Sequence, residues 1–396
     1  MIEKKKTKVA FVFEILKENF DGASRTVFQL INRIDNTKFE FLFLCAVPPG
    51  SDFTHKFVNF PSVVVPFNKN YRIGLPFLAG RKFKRQVDRF KPDAIHVSTP
   101  SLLGKRAIVY GNTRKIPILT IYHTHFIAYI EYYFRKVPFL IRPFKKITSM
   151  GTVDFYNRCN LVYAPTKIII NELSSLGVKP NILKLWKRGI NFEVFNPSKK
   201  DKAFLGTITG NDLPTILFAS RLVWEKNLEM LIKINKNLFD DGVKFNLIIA
   251  GDGNAKHELR EAMPNALFTG NLDHDELAKL YASCDIFLFA SISETYGNVV
   301  AEAMASGLPC VVANGGGSAD FVQNGINGYL CKHDDVELFV NRLKLLIEDR
   351  ETRERFSENG LRFVSGLNWD SLAQTYFEDL EGLAIEKRHL RVENRN

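Results

Sequence analysis

Short apolar runs alternate along this chain with stretches that have the composition of helices. The first run, Lys8–Phe13, precedes a turn and a helix that opens at Asp21 and continues to Ile34. The same order of strand, turn and helix then repeats, which indicates parallel sheets covered by helices, an α/β fold. Further predicted elements of the first half are a basic helix, Gly80–Phe90, and the strands Phe39–Cys45, Pro92–Ser98, Ile116–Tyr122, Cys159–Pro165 and Asn181–Trp186.

A second series of the same pattern begins at Thr215–Ser220, after a polar stretch, 196–202, that has the composition of a linker. With 396 residues the chain is too long for one ordinary hydrophobic core and suits two domains. The predicted strands that follow in this second series are Phe245–Ala250, Ala266–Gly270, Ile286–Phe289 and Cys310–Ala313.

Positive charge is concentrated in the first half of the chain. Residues 1–190 contain 32 Lys+Arg and 12 Asp+Glu, whereas residues 191–396 contain 22 and 31. An excess of this size on one side predicts attraction to an anionic partner, such as a membrane surface, a phospholipid or a nucleic acid. The alternative is that the lysines only keep the surface soluble.

The five cysteines are scattered, without the spacing of a metal site or a disulfide framework, which is typical of buried thiols in a reducing compartment. The apolar run near the start, 9–16, is short and interrupted by Glu14, so it reads as a strand and not as a signal peptide. No segment has the ~20 apolar residues of a membrane span. We therefore expect a cytoplasmic protein.

Glu294 lies just before an apolar helical stretch that stops at Gly307-Leu308-Pro309, and Glu302, eight positions later, is predicted to lie on the second turn of that helix. At ~1.5 Å of rise per residue, they are separated by about 12 Å, which suits the span from the ribose to the sugar of a nucleoside diphosphate sugar. The helix N-terminus between them is a natural anion site. The alternative is a pair of solvated helix carboxylates.

Other candidate residues lie where predicted strands end. Arg221 and Lys226 follow the strand Thr215–Ser220, from which both could reach a diphosphate, although single basic residues are often plain surface charges. Gly251 and Gly253 follow the next strand and are also typical of a tight turn.

Asp273 and Asp275 have the spacing of a metal-binding pair, but a hydrophobic helix follows, so Asp273 is predicted to be a helix N-cap and no metal is expected.

The string Ser293–Pro309, with Glu294 and Glu302 in their full context, resembles the retaining glycosyltransferases of family four, which have the GT-B fold. The resemblance covers nearly the whole chain. It implies two Rossmann-like domains facing across a cleft. The implied bounds are 1–195 for an acceptor-side domain, 196–370 for a nucleotide-sugar domain, and 371–396 for a C-terminal helix crossing back to the first. It also implies a nucleotide sugar as substrate, with no cofactor and no metal.

The same resemblance assigns roles to individual residues. Arg221 and Lys226 would bind the donor phosphates and stabilise the leaving group, and Glu294 would hold sugar hydroxyls. Glu302 would hold the ribose, and Gly251 with Gly253 would lie near the base. The donor would also contact the residues that link the two glutamates, Thr295, Tyr296, Gly297 and Asn298.

In the first domain, Gly22 stands where family members carry the first of two glycines, and Ala23 replaces the second. The resemblance places a histidine near the donor sugar. His123 and His125 are both candidates, and alignment favours His123. Catalytic roles are thus expected for Arg221, Lys226, Glu294 and His123.

Residues 126–146 interleave aromatic side chains with five basic residues, a composition that suits contact with an anionic membrane surface. An amphipathic helix packed on its own domain would fit equally well. No zinc site, helix-turn-helix or RNA-binding aromatic motif points to nucleic acid.

Within the family, the segments around His96, Tyr122 and Trp186 are similar to two groups: sulfoquinovosyl transferases, and GDP-mannose-dependent mannosyltransferases acting on lipids and related acceptors. We favour a GDP-mannose donor and a lipid or glycan acceptor at the membrane, and a UDP-sugar glycolipid synthase remains an alternative. A catalytically inactive membrane- or nucleic-acid-binding protein of the same fold is a further alternative, against which the intact Arg221, Lys226, Glu294 and Glu302 argue.

Overall fold

The computed structural model describes residues 5–393 apart from 19, 66–67, 76–79, 124–138 and 140. The chain divides into two compact units. Unit 1 comprises the described parts of Met1–Ile127, Phe139–Trp186 and Asp370–Asn396, and unit 2 comprises Lys187–Trp369. The first boundary thus falls after Trp186, earlier than the one drawn after residue 195 from the sequence.

Parallel strands make up the sheet of unit 1, in the order β3-β2-β1-β6-β7-β8-β9 as far as the described residues go. Two further strands, β4 and β5, form a separate antiparallel pair. The strands are β1 (Thr7–Val12), β2 (Phe39–Cys45), β3 (Lys56–Asn59), β4 (Ser62–Val65), β5 (Asn68–Gly74), β6 (Ala94–Val97), β7 (Ile118–Ile121), β8 (Leu161–Ala164) and β9 (Leu183–Leu185).

The described helices of the first two stretches of unit 1 are α1 (Gly22–Ile31), α2 (Gly80–Phe90), α3 (Leu102–Thr113), α4 (Ile141–Asn157) and α5 (Lys167–Leu176). Buried residues of α2, α3, α4 and α5, such as Phe83, Leu103, Phe155 and Ile169, belong to one hydrophobic cluster. The cluster includes alternate residues of β1, β2, β6 and β8, because successive side chains of a strand point to opposite faces. These four helices therefore cover the same face of the sheet.

The C-terminal helix, α13 (Trp369–Glu393), packs in unit 1 through buried and partly buried polar contacts. The Tyr376 hydroxyl lies 2.9 Å from Nδ1 of His96, and burial lowers the pKa of that histidine to about 3. Asp379 accepts hydrogen bonds from the Tyr163 hydroxyl and from Lys184. These contacts tie the end of the chain to three strands of the first sheet, namely β6, β8 and β9.

Unit 2 repeats the architecture with a parallel sheet in the order β12-β11-β10-β13-β14-β15. Its strands are β10 (Thr215–Ala219), β11 (Asn246–Ala250), β12 (Leu267–Gly270), β13 (Ile286–Phe289), β14 (Cys310–Ala313) and β15 (Gly328–Cys331). Its helices are α6 (Lys202–Thr209), α7 (Leu228–Asp240), α8 (Lys256–Ala262), α9 (His274–Ser283), α10 (Asn298–Ala305), α11 (Val336–Glu348) and α12 (Arg350–Val364).

The α/β class and the division into two units, each with a parallel sheet, are confirmed by this architecture. Strands β2, β13 and β14 and helix α2 have the predicted bounds, and the other predicted strands differ by one or two residues at their ends. The strands β3, β4, β5 and β15 were not predicted, and helix α1 ends at Ile31, whereas the sequence predicted its end at Ile34. No helix in the described part of the chain is long and apolar enough to cross a membrane.

One buried carboxylate, that of Glu14, lies just after β1 and is 2% exposed. Its Oε2 accepts the backbone N–H of Gly74 at 2.8 Å. Burial raises the pKa of Glu14, and hydrogen bonds from Ser101, Gly74 and Leu103 lower it in part. The raised pKa means that the folded state favours the protonated carboxyl more strongly than the unfolded state does.

We expect Glu14→Gln to change how stability depends on pH. In the wild type, the contribution of Glu14 to stability is complete below its pKa in the unfolded state. It is lost as pH rises through the higher pKa in the folded state, and it amounts to about 1.4 kcal/mol per unit of difference between the two pKa values. Glutamine keeps an acceptor for Gly74 and does not ionise. Urea unfolding at about pH 5 and about pH 8 should show a smaller decline for the variant than for the wild type. An equal decline in both would contradict this account.

Candidate functional site

In unit 2, the direction in which the chain adds strands to the sheet reverses between β10 and β13. From β10 the chain builds outward through β11 to β12, and it then returns to start the other half at β13. In an open parallel sheet, ligands bind outside the carboxyl ends of the strands at such a switch point. Arg221 and Lys226 follow β10, and Glu294 follows β13. The topology therefore brings these three predicted residues to one edge of one sheet.

Lys226 and Glu294 form a short ion pair at this edge. Nζ of Lys226 lies 2.6 Å from Oε1 of Glu294 and 3.3 Å from the hydroxyl of Ser293. Lys226 is 3% exposed, whereas the side chain of Glu294 is 27% exposed. Burying a cation is costly unless it is paired, so the carboxylate fixes where the ammonium can lie.

Arg221 is more open to solvent. Its side chain is 68% exposed, and one guanidinium nitrogen lies 3.2 Å from Oε1 of Glu225. Because the guanidinium is mostly surrounded by solvent, this single contact with the largely buried Glu225 holds the arginine weakly. The guanidinium can therefore turn toward an anion and offer it two parallel hydrogen bonds.

Gly251 lies directly after β11, where two loops run side by side. A Cβ atom at this position would lie 1.9 Å from the carbonyl oxygen of Ser220, and φ is 132°. Gly253 is similarly close to the carbonyl of Leu222. Only glycine allows the two chains to approach in this way. Glycine is therefore required at both positions by the close approach of the two loops.

The link from Glu294 to α10 is a tight turn closed by Gly297. Its φ is 86°, and a Cβ there would lie 2.3 Å from the hydroxyl oxygen of Ser318. Asn298 then begins α10, so Glu302 lies on the second turn of that helix, as the sequence predicted. The N-terminal N–H groups of α10 thus begin four residues after Glu294, and a helix N-terminus is favourable for an anion.

Thr295 and Tyr296 are both buried within the same link. The Tyr296 hydroxyl donates a 2.6 Å hydrogen bond to the carbonyl of Arg188, and the guanidinium of Arg188 lies over the Tyr296 ring. Burial raises the pKa of Tyr296, and the contacts with Arg188 lower it in part. The tyrosine therefore anchors the turn, and its hydroxyl is already used in this structure.

Glu302 is half-buried on α10 and neighbours Tyr281 of α9. Burial and then the negative charge of Glu302 raise the pKa of Tyr281 well above its ordinary value. The two side chains are thus close enough to interact electrostatically.

The predicted residues of unit 1 lie at its own sheet edge. Asp21 caps α1, because its Oδ1 accepts the N–H of Ser24 at 2.7 Å, and Gly22 is the first residue of that helix. His123 directly follows the loop residue Tyr122 after β7 and is buried at 7% exposure. His125 lies outside the described residues, as does most of 126–146.

The interpretation of Asp273 as a helix N-cap is confirmed. Its side chain accepts the N–H of Glu276 at 2.8 Å, and Glu276 reaches back to the backbone of Asp273 in a capping box. Within the described residues, no group of three or more His, Cys, Asp or Glu side chains is arranged to hold a metal ion.

Three features of the site were missed from the sequence: Arg188, Tyr281 and the loop Gly315–Gly317. The N–H of Gly317 donates a 2.7 Å hydrogen bond to the carbonyl of Glu294, so this loop supports the backbone of the turn. Three consecutive glycines after β14 were a usable signal for the loop. Arg188 and Tyr281 carry no such signal, because their roles depend on packing against Tyr296 and Glu302.

Comparison with known families gives two matches that together span most of the chain. Residues 20–194 match the model described as Glycosyltransferase Family 4, and residues 201–363 match the model described as Glycosyl transferases group 1. The first lies in the N-terminal half and the second contains the Arg221, Lys226, Glu294 and Glu302 site.

Individual relatives are named as glycosyltransferases or as a glycolipid synthase. A sulfoquinovosyl transferase of Arabidopsis thaliana is 37% identical over 72% of this chain, and the chain spans 55% of that protein. A GDP-mannose-dependent alpha-mannosyltransferase of Corynebacterium glutamicum is 29% identical over 92% of this chain and 86% of its own length. An alpha-monoglucosyldiacylglycerol synthase of Streptococcus pneumoniae is 30% identical over 60% of this chain and 56% of its own length.

Solved structures agree on the fold. The Anabaena protein HepE in complex with UDP and glucose superposes with a TM-score of 0.73 at 20% identity, covering 95% of this chain and 100% of that one. The sucrose-phosphate synthase of Thermosynechococcus elongatus gives 0.74 at 18% identity, covering 96% and 99%. With the family matches and the switch-point site, these findings show that the chain belongs to the family-four glycosyltransferases of the GT-B fold.

Proposed function

We propose that this protein is a retaining glycosyltransferase that uses GDP-mannose and transfers mannose to a hydroxyl of a lipid or glycan acceptor. The observation that carries the transferase site is the convergence of Lys226, Glu294 and the start of α10 at the switch point of unit 2. A buried cation, a partly exposed carboxylate and a helix N-terminus suit a donor that combines a diphosphate with a sugar.

The choice of donor is supported by the coverage of the relatives. Three GDP-mannose-dependent alpha-mannosyltransferases align with 83–92% of this chain and 86–93% of their own lengths. The sulfoquinovosyl transferase has higher identity, 37%, but is matched over 55% of its length. That identity favours a second candidate, a UDP-sugar glycolipid synthase, which the first experiment below separates from the first.

The proposed chemistry takes place on one face of the sugar. The bond between the anomeric carbon and the diphosphate oxygen breaks, and the acceptor oxygen bonds to the same face of that carbon. The acceptor proton passes to the departing phosphate oxygen. Lys226 and Arg221 would stabilise the charge that develops on the phosphates, and Glu294 would orient sugar hydroxyls. Glu302 would hold the ribose, His123 would lie near the donor sugar, and no metal takes part.

The proposed acceptor and location follow from the relatives and the charge of the chain. One relative is named as a synthase of alpha-monoglucosyldiacylglycerol, a lipid. The basic first half of this chain would favour an anionic membrane surface, where such an acceptor resides. We propose that the protein acts at the cytoplasmic face of a membrane.

The donor proposal predicts which nucleotide stabilises the protein against heat. Thermal unfolding is measured with UDP, GDP, UDP-glucose, UDP-sulfoquinovose and GDP-mannose. A ligand at about a hundred times its Kd adds about 2.7 kcal/mol of stability, which gives a visible shift. We expect a shift with GDP and GDP-mannose. A shift with UDP compounds alone would replace the first candidate by the second, and no shift would count against both.

Arg221→Ala is expected to lower turnover by on the order of a hundredfold or more, because the guanidinium that would donate hydrogen bonds to the leaving diphosphate is lost. Stability should change little, since the side chain is 68% exposed. The matched control is Arg350→Ala, which removes another exposed arginine paired with a glutamate four residues later. Near-normal turnover in the Arg221 variant, measured with GDP-mannose and a lipid acceptor, would remove this residue from the mechanism.

Glu294→Gln should destabilise the protein and make it more responsive to GDP. The substitution leaves buried Lys226 without a charged partner, at a cost on the order of 2 kcal/mol, less than for a fully buried pair. A bound diphosphate would restore a counter-charge, so the thermal shift caused by GDP should exceed that of the wild type.

Glu354→Gln is the control for that experiment, since it also removes a carboxylate from an ion pair, but both Glu354 and its partner Arg350 are exposed and lie outside the site. If GDP shifts Glu294→Gln less than it shifts the wild type, Lys226 does not contact the phosphates in the proposed way.

A further inference from the structure

Four described helices cover one face of the sheet in unit 1, and three of them, α2, α3 and α4, lie side by side and have buried residues that share a single cluster. The helices also touch one another. The hydroxyl of Tyr110 on α3 donates to Asp88 on α2 at 2.7 Å, and Asn112 of α3 donates to the carbonyl of Arg158, just after α4. Their outward surfaces therefore form one continuous layer, which we call the basic face.

The charge of the basic face is strongly one-sided. The three helices contain ten lysine and arginine residues and two aspartates. Both aspartates are paired within this face, Asp88 with Lys84 and Arg114, and Asp154 with Arg158. On α2, Arg81, Arg85 and Arg89 are exposed at intervals of four residues, which places them along one stripe.

Large apolar side chains are exposed among these cations. On α4, Ile147 is 66% exposed and Met150 is 63% exposed, and Phe139 just before the helix is 77% exposed. On α3, Leu102 and Val109 are 47% and 55% exposed, with Lys105 and Arg106 exposed between them. Single exposed apolar residues are ordinary, but a cluster on adjacent helices marks an interaction surface.

We propose that the basic face docks unit 1 on an anionic phospholipid bilayer, with Phe139, Ile147 and Met150 entering the headgroup region and the α2 arginines bound to lipid phosphates. Apolar side chains inserted at the interface, with cations around them, are the pattern of a monotopic contact. A second copy of this chain is a poor occupant, because two such faces would bring like charges together. Docking would bring the enzyme to the lipid surface that holds its proposed acceptor, and this inference therefore rests on the proposed function.

This surface overlaps only in part with the segment 126–146 singled out in the sequence. Residues 126–138 lie outside the described part, Phe139 and the start of α4 belong to both, and α2 and α3 lie outside that segment. The stripe on α2 comes from a helix that the sequence had identified as basic without assigning it a partner.

The test is co-sedimentation of the full chain with vesicles of phosphatidylcholine alone, or of equal parts phosphatidylcholine and phosphatidylglycerol. We expect binding to the anionic vesicles only, weakened by salt. Arg81→Glu with Arg85→Glu should weaken binding at least about tenfold, since each basic residue near such a surface is worth about fivefold. Ile147→Asp with Met150→Asp should weaken it to a similar extent, through lost apolar contact.

Matched controls come from exposed residues of unit 2. Phe239, on α7, is 62% exposed, so Phe239→Asp makes the same kind of apolar-to-acid change elsewhere. Lys233→Glu with Arg362→Glu reverses two exposed charges away from the basic face. Equal losses in these controls would show that net charge or general hydrophobicity, and not this face, drives binding, and would overturn the proposal.

Two further outcomes would assign the basic face to a different partner. Binding to oligonucleotides in place of anionic vesicles would assign the face to nucleic acid, and lipid-free self-association abolished by Ile147→Asp with Met150→Asp would assign it to a second copy. Either result overturns the lipid proposal. The thermal shift with GDP is measured on every variant, because it reports the donor site and the fold independently. Vesicle binding without any nucleotide response would sustain this inference while the proposed function failed.

Discussion

The parallel pairing of β10 with β13 is the constraint on which the candidate site depends. These strands are adjacent in the sheet but distant in sequence, and Ile216 pairs with Ile286. The pairing sets the loops after both strands side by side, and the buried Lys226 then meets Glu294 at 2.6 Å. Once the ammonium is buried, the carboxylate must remain beside it, because an unpaired buried cation is costly.

Close backbone contacts keep the surrounding loops in place. The loop after β11 passes against the loop after β10 at Gly251, and the turn before α10 passes against Ser318 at Gly297. Tyr296 adds a hydrogen bond to the carbonyl of Arg188. The site edge is therefore built from several loops that support one another, which suits a site that must hold a diphosphate and a sugar in fixed positions.

The two sides of the sheet in unit 1 serve different purposes. One side receives α13, which is held by buried polar contacts such as that between His96 and Tyr376. The other side carries α2, α3 and α4, whose inner residues pack on the sheet and whose outer residues concentrate positive charge. A sheet covered in this way can keep a stable core and still present an outer layer for a partner.

The sequence by itself determined the α/β class, the bounds of strands such as Phe39–Cys45 and the helix position of Glu302, because these depend on local periodicity, turn residues and capping. It also indicated family four through a long motif. Only the tertiary structure decided that Lys226 pairs with Glu294, that Arg188 and Tyr281 support the site, and that α2, α3 and α4 present one basic face. Those features depend on which strands become neighbours and which side of a sheet each helix covers, and long-range pairing leaves no local pattern in the sequence.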